Sequence, residues 1–304
     1  MKGSAVMTYH NIIQKVLHYI DENLKNELNA DILADVAGFS MYHFCRVFQW
    51  NVGYSVMGYV RFRRLAFAAL DLSSGRKMID IAMDYGFETH SGFSKAFKRQ
   101  YGVSPEKYRL YNQTHKPFLP DIIRMDKYSI GGIIMEPKFV SLPAIKIAGY
   151  ELKTRTLNQE NLNAVSDFWA AYLMEGRADQ LHQSNFIENH AEYGACFPEN
   201  PENGEFSYVI GVEIKKDAKV PESFYCCELP PATYAVFSTP PCTQMDFSKN
   251  IQGTWQYIMN DWFESSGFEY ATGCTDFEYY GEKSFGEKDK ICEIYIPVVK
   301  KKGK

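Results

Sequence analysis

Apolar residues in the first hundred positions fall at helical spacing, and the same pattern occurs twice. In residues 30–37, Ile32, Leu33, Val36 and Ala37 lie on one helix face at i, i+1, i+4 and i+5. Gly38 can take positive φ at little steric cost and predicts the end of that helix. Ser40 is a suitable N-cap for the next helix, whose inward stripe is Phe44, Val47 and Phe48. The full pattern is Ala34-x-x-x-Gly38-Phe39, Phe44-x-x-x-Phe48, Gly53-x-Ser55-x-x-x-Tyr59. It returns as Ala82-x-x-x-Gly86-Phe87, Phe93-x-x-x-Phe97, Gly102-x-Ser104-x-x-x-Tyr108. Two copies are too few for a solenoid. They suit two helix-turn-helix units reading two successive grooves of DNA. Between them, residues 55–73 carry Val56, Tyr59, Val60, Leu65, Ala66, Ala69 and Leu70 without a proline, the pattern of one long linking helix.

Beyond Pro117 and Pro120 the texture changes to strand-like alternation. Residues 138–156 read as strands around Leu142-Pro143-Ala144, 158–174 as a helix, and 193–197 and 206–214 as strands. The sequence then repeats itself: strands at 224–238 around Pro230-Pro231-Ala232, a helix at 247–265, and strands at 274–280 and 290–299. Pro143 to Pro231 is an offset of 88, and Trp169 to Trp255 one of 86. The predicted fold is therefore multidomain, α and α+β. An all-α double helix-turn-helix head occupies 1–112, a linker 113–135, and a pseudo-symmetric α+β domain 136–304. That domain would have two strand–strand–helix–strand–strand halves with a groove between them, a common kind of place for a ligand.

Charge divides at the same place. Residues 1–116 hold 15 Lys and Arg against 10 Asp and Glu, whereas the remainder holds 18 against 27. A basic head on an acidic body fits a DNA-binding module joined to a domain that does not bind DNA. Residues 1–20 lack a secretory pattern and no apolar run approaches the ~18 residues of a membrane span, so a cytoplasmic chain without membrane contact is expected. The seven cysteines include no C-x-x-C pair and read as reduced thiols. No Ser-His-Asp spacing, phosphate loop or metal-spaced His/Cys cluster is present, so no catalytic residue, metal or cofactor is expected.

The chemistry expected of the head lies on the outward stripes of its second helices. In the first unit these are Tyr42, Cys45, Arg46 and Gln49; Arg46 can pair bidentately with guanine, and Gln49 can bond bases or phosphate. In the second unit they are His90, Ser91, Ser94 and Lys95, with Lys98 and Arg99 better placed for phosphates. Arg61, Arg63 and Arg64 on the linking helix could clamp phosphate or simply form a solvated basic face.

The run Phe97-Lys98-Arg99-Gln100-Tyr101-Gly102-Val103-Ser104-Pro105-Glu106-Lys107-Tyr108-Arg109 resembles the signature of the AraC/XylS family of transcription regulators, over about residues 11–111. The resemblance implies two helix-turn-helix units on a linker helix, promoter DNA and RNA polymerase as partners, and usually activation. It places base reading on Tyr42, Cys45 and Arg46, and on His90, Ser91, Ser94 and Lys95. Cys45 stands where a longer polar residue is common, and Lys95 where Arg is common, which weakens bidentate readout there.

The second half resembles GyrI-like effector-binding domains, and the strand Ile291-Cys292-Glu293-Ile294-Tyr295-Ile296-Pro297 matches best. The resemblance implies a glutamate among groove aromatics that attracts small apolar cations, and Glu293 matches that position. Trp169, Tyr208, Trp255 and Tyr295 are the candidate rings. Two alternatives remain for this half: a GyrI-like hydrolase that uses the glutamate to activate water, or a protein-interaction module.

Overall fold

The computed structural model describes residues 8–111, 135–155, 160–201, 203–286 and 288–301. The chain divides into two compact units, the first covering Met1–Ile123 and the second nearly all that follows. The expected linker, 113–135, lies almost wholly outside the described residues.

In the first unit α1 (Tyr9–Glu22) precedes the two repeats. The first repeat is α2 (Ala30–Ala37) and α3 (Met41–Val52), the second α5 (Met78–Asp84) and α6 (His90–Tyr101). Between them runs α4 (Val56–Asp71), and α7 (Pro105–Tyr111) closes the unit. The Ala-x-x-x-Gly-Phe motif has a physical meaning in both copies. Gly38 and Gly86 turn the chain at φ 76° and 74°. That turn lets the amide of the following Phe donate to the carbonyl of the Ala, at 3.1 Å for Phe39 to Ala34 and 2.9 Å for Phe87 to Ala82. The phenylalanine pairs repeat too, Phe44–Phe48 and Phe93–Phe97 each having centroids 5.5 Å apart. All four rings are fully buried. Ser40 occupies the N-cap of α3 as expected, yet its side chain makes no capping bond, whereas Thr89 at the N-cap of α6 accepts from the Gly92 amide.

In the second unit the strands are β1 (Lys138–Leu142), β2 (Ile145–Arg155), β3 (Ile187–Cys196), β4 (Glu205–Ile214), β5 (Tyr225–Leu229), β6 (Ala232–Ser238), β7 (Phe268–Tyr270), β8 (Asp276–Tyr280) and β9 (Glu293–Lys300). Their order is β1-β6-β9-β8-β3-β4-β2-β5, with β7 added against β9, and every pairing is antiparallel. The order is a palindrome under exchange of β1 with β5, β2 with β6, β3 with β8 and β4 with β9. The two predicted halves are thus real: each lends its first strand to the other, and they meet at β3–β8. Helix α8 (Glu160–Met174) belongs to the first half. Helix α10 (Phe247–Tyr257) belongs to the second and continues through a π-helical stretch, Ile258–Trp262, into α11 (Phe263–Ser265). The sequence pattern missed two short elements, α9 (Arg177–His182) and β7.

Register assigns the side chains to two faces, because residues directly opposite share a face and successive residues alternate. Gly194 opposes both Ile210 and Glu278, and Cys196 opposes Tyr208. One face therefore carries Tyr208, Ile210, Gly194, Glu278 and Tyr280. It packs under α8, with Phe168 and Tyr172 against Ala148, Ile210 and Val212. The other face carries Tyr193, Phe277, Tyr279, Glu293 and Tyr295 and builds a second core with Ile147, Tyr234 and Val236.

Candidate DNA interface and effector groove

Helix α6 presents an open polar side. His90, Ser91, Lys95, Lys98 and Arg99 are exposed and Ser94 is half-buried, as the helical spacing predicts. His90 Nε2 lies 3.3 Å from Glu106 Oε1 on α7, which holds the imidazole at the start of the helix. A hydrogen bond from its own backbone amide, with smaller help from Ser104 and His90, holds the Glu106 carboxyl below its ordinary range.

Helix α3 differs from expectation. Tyr42 and Cys45 are buried, at 9% and 4% exposure. Residues 42–45 are all buried, and four consecutive residues make a full turn, so the first turn of α3 offers no open stripe. Cys45 Sγ lies 3.8 Å from Met41 Sδ one turn away. Arg46 and Gln49 are half-buried, further along the helix.

The arginine cluster on α4 also separates. Arg63 is buried and makes a bidentate pair with Asp21 of α1, Nε to Oδ1 at 2.8 Å and Nη2 to Oδ2 at 2.7 Å. Arg64 donates to the carbonyls of Leu24 at 3.0 Å and Asn26 at 2.9 Å, just past the end of α1. Its guanidinium lies against Gly86, where an added Cβ would be 2.7 Å from Nη1. Arg64 is therefore a brace between segments distant in sequence, not an open phosphate clamp. Arg61 is exposed.

In the second unit the structure gathers three of the five expected ligand residues around a glutamate that sequence reasoning passed over. Trp255 Nε1 of α10 donates to Glu278 Oε1 at 2.8 Å. Tyr280 and Tyr208 donate to Glu278 Oε2 at 2.8 and 3.3 Å. Trp169 Nε1 of α8 donates to the Tyr208 hydroxyl at 2.9 Å. One polar chain, Trp169–Tyr208–Glu278–Trp255, thus joins the helices of the two halves across the sheet. Trp169 and Tyr280 meet edge to face at 4.9 Å, and Phe247 meets Tyr280 at 6.2 Å. Gly194 forms the floor: a Cβ there would collide with the Tyr208 hydroxyl and come within 3.3 Å of the Trp169 ring.

Glu278 is half-buried, and its three donors are all uncharged. Burial pushes its carboxyl above the ordinary range, while the bonds from Trp255, Tyr280 and Tyr208 pull the other way. Burial and the Glu278 charge push Tyr208 and Tyr280 far up, so both remain hydroxyl donors.

Glu293 and Tyr295 lie on the opposite face. Tyr295 donates to Glu293 Oε2 at 3.2 Å, and Tyr279, directly opposite Glu293 on the neighbouring strand, is raised by burial and then by the charges of Glu293, Glu213 and Glu282. The five expected residues are therefore two groups on two sides of one sheet. Strand alternation predicted two faces, but only the helices show which face carries the tryptophans.

Two family models match successive parts of the chain. A family model for an integron-associated effector binding protein, Cass2, matches residues 138–298, and a helix-turn-helix domain model matches 33–110. An uncharacterized HTH-type transcriptional regulator of Bacillus subtilis, YbfP, is 39% identical over 34% of this chain, which spans only 36% of that protein. The regulatory protein SoxS of Escherichia coli is 36% identical over 34% of this chain and 97% of its own length. The transcriptional activator AarP of Providencia stuartii is 37% identical over 36% of this chain and 82% of its own length. The chain belongs to the AraC-type DNA-binding transcription regulators and carries behind its helix-turn-helix head an effector-binding domain of the Cass2, GyrI-like family.

Proposed function

We propose that this regulator activates transcription in the cytoplasm in response to an apolar cation that binds over Glu278, between α8 and α10. One observation carries the reading: a half-buried, partly desolvated carboxylate is held by uncharged donors among indole and phenol rings contributed by both halves. Such a charge gains most from a cation, and the ring faces attract one as well. The donor count narrows the ligand further. Trp255, Tyr280 and Tyr208 take three of the carboxylate's roughly four acceptor sites, so an ammonium with several N–H groups would satisfy about one of them or displace a neighbour. A cation without hydrogen-bond donors, such as a quaternary ammonium or an aryl-substituted phosphonium, need displace none. In this reading residues 1–112 bind the promoter and contact RNA polymerase, 136–304 bind the effector, and the groove binds without turnover. Titration of the full chain with a quaternary cation and with its neutral carbon isostere, read by tryptophan fluorescence, tests it. Equal affinity for the two sinks the cation reading, and product formation on incubation would favour the hydrolase.

A second reading places the cation on the opposite face at Glu293. It is favoured by the two carboxylates, Glu293 and Glu213, whose charges both act on Tyr279. Glu293→Gln and Glu278→Gln measured side by side separate the two readings, since only the occupied face should lose affinity.

A further inference from the structure

Beside the groove, on α9 and β3, two imidazoles meet nitrogen to nitrogen. His182 Nδ1 lies 3.0 Å from His190 Nδ1, with the rings stacked at 5.3 Å. The other nitrogen of His182, Nε2, lies 2.9 Å from Glu192 Oε1. The same oxygen accepts from the Tyr172 hydroxyl of α8 at 2.6 Å. Glu192 is buried at 4% exposure, while His190 is exposed. With Glu192 as a carboxylate, that oxygen accepts from both Tyr172 and His182 Nε2–H, and His182 Nδ1 then turns its lone pair to His190 Nδ1.

We propose that His182 and His190 form a binding site for a late first-row divalent metal ion of the Ni²⁺ or Cu²⁺ kind. A carboxylate behind one imidazole nitrogen, fixing the tautomer so that the other nitrogen can ligate, is the usual outer-shell arrangement of a metal-binding histidine. Distance selects the ion. Metal–imidazole bonds run about 2.0–2.1 Å. Two nitrogens 3.0 Å apart on such bonds subtend about 90° at the ion. That angle suits the tetragonal or octahedral nitrogen sites of Cu²⁺ and Ni²⁺ better than the wider tetrahedral angle of Zn²⁺. Among the described residues no group of three His, Cys, Asp or Glu side chains is placed to hold a metal, so solvent would complete the coordination. The site opens at His190 and is anchored through Glu192 to Tyr172, which shares α8 with Trp169. Nothing in it depends on the effector reading.

The test is calorimetric titration of the tag-free full chain with NiCl₂. Ni²⁺ favours imidazole and avoids the thiol oxidation that Cu²⁺ would cause. Wild type should bind one equivalent at a site that His190→Ala and His182→Ala each weaken at least tenfold. Glu192→Gln should weaken it ten- to hundredfold by releasing the tautomer. The exposed His18→Ala is the control for scattered histidines and should change nothing. His190→Ala alters an exposed side chain, so its fold, checked by circular dichroism, keeps the comparison valid even if Glu192→Gln is unstable. Wild type and His190→Ala binding Ni²⁺ alike, or His18→Ala losing as much, would overturn the proposal and leave the pair as two histidines sharing a proton.

Discussion

Replacing Glu278 by Gln removes one charge and little volume, so its effect can be worked from the groove itself. A cation centred about 5 Å from the carboxylate, at an effective dielectric near 20, interacts by about 3 kcal/mol. Glu278 is half-buried, and solvent screening reduces this to about 2 kcal/mol, roughly thirtyfold in affinity. Part of the carboxylate's desolvation is already met when the chain folds, so only the remainder offsets the gain on binding. The rings survive the substitution, and their cation–π contribution of about 0.5–2 kcal/mol should remain. The Gln oxygen can still accept from Trp255, and the hydroxyls of Tyr208 and Tyr280 can rotate to accept from its amide. The substitution should therefore leave the fold intact. Tryptophan quenching by a quaternary cation should show about a thirtyfold loss, with the neutral isostere and DNA binding unchanged. The variant should also change the pH dependence of stability. Burial raises the Glu278 carboxyl in the folded chain, so the folded state holds that proton more tightly than the unfolded state. Its contribution then favours folding below the unfolded carboxyl range and is lost as pH rises toward the folded value. Glu278→Gln removes that slope, and its melting temperature should exceed wild type at neutral pH but not in acid. An unchanged cation affinity, or an equal loss for cation and isostere, would refute the electrostatic argument.

Further outcomes follow from the head and from the groove floor. Arg46→Ala should cost about 1–3 kcal/mol and relax preference at one base pair, while Lys98→Ala should weaken all sequences alike and lower the salt slope by about 1; sequence-blind losses from both in a binding-site selection would remove base reading from Arg46. Arg64→Ala should destabilise the head by about 2–3 kcal/mol in denaturant melts, through its bonds to Leu24 and Asn26, whereas exposed Arg61→Ala should leave stability alone and weaken DNA binding; the reverse order would restore the phosphate role to Arg64. Gly194→Ala should displace Tyr208 and weaken the cation at least tenfold in the same quenching assay, and normal binding would show that the floor is not part of the site.

Much of the head was legible in the sequence because its signals are local. Helix periodicity, a glycine able to take positive φ at Gly38 and Gly86, and a phenylalanine pair one turn apart act within a few residues, and their repetition doubled the signal. The two matched halves of the second unit were legible for the same reason, as two copies of one element order, but the single sheet in which each lends its first strand to the other was not. What the sequence by itself could not determine is which side of each element meets what. Tyr42 and Cys45 have outward spacing on α3 but are buried, and Arg64 finds its partners about 40 residues away at the end of α1. Glu278 and Glu293 both stand on alternating strands, and alternation says only that a strand has two faces. The choice between them came from α8 and α10, which lay Trp169 and Trp255 on one face and so turn one of two similar glutamates into the centre of a groove. Local propensity is written in neighbouring residues; the environment of a charge is set by groups far off in sequence, and only the tertiary fold brings those together.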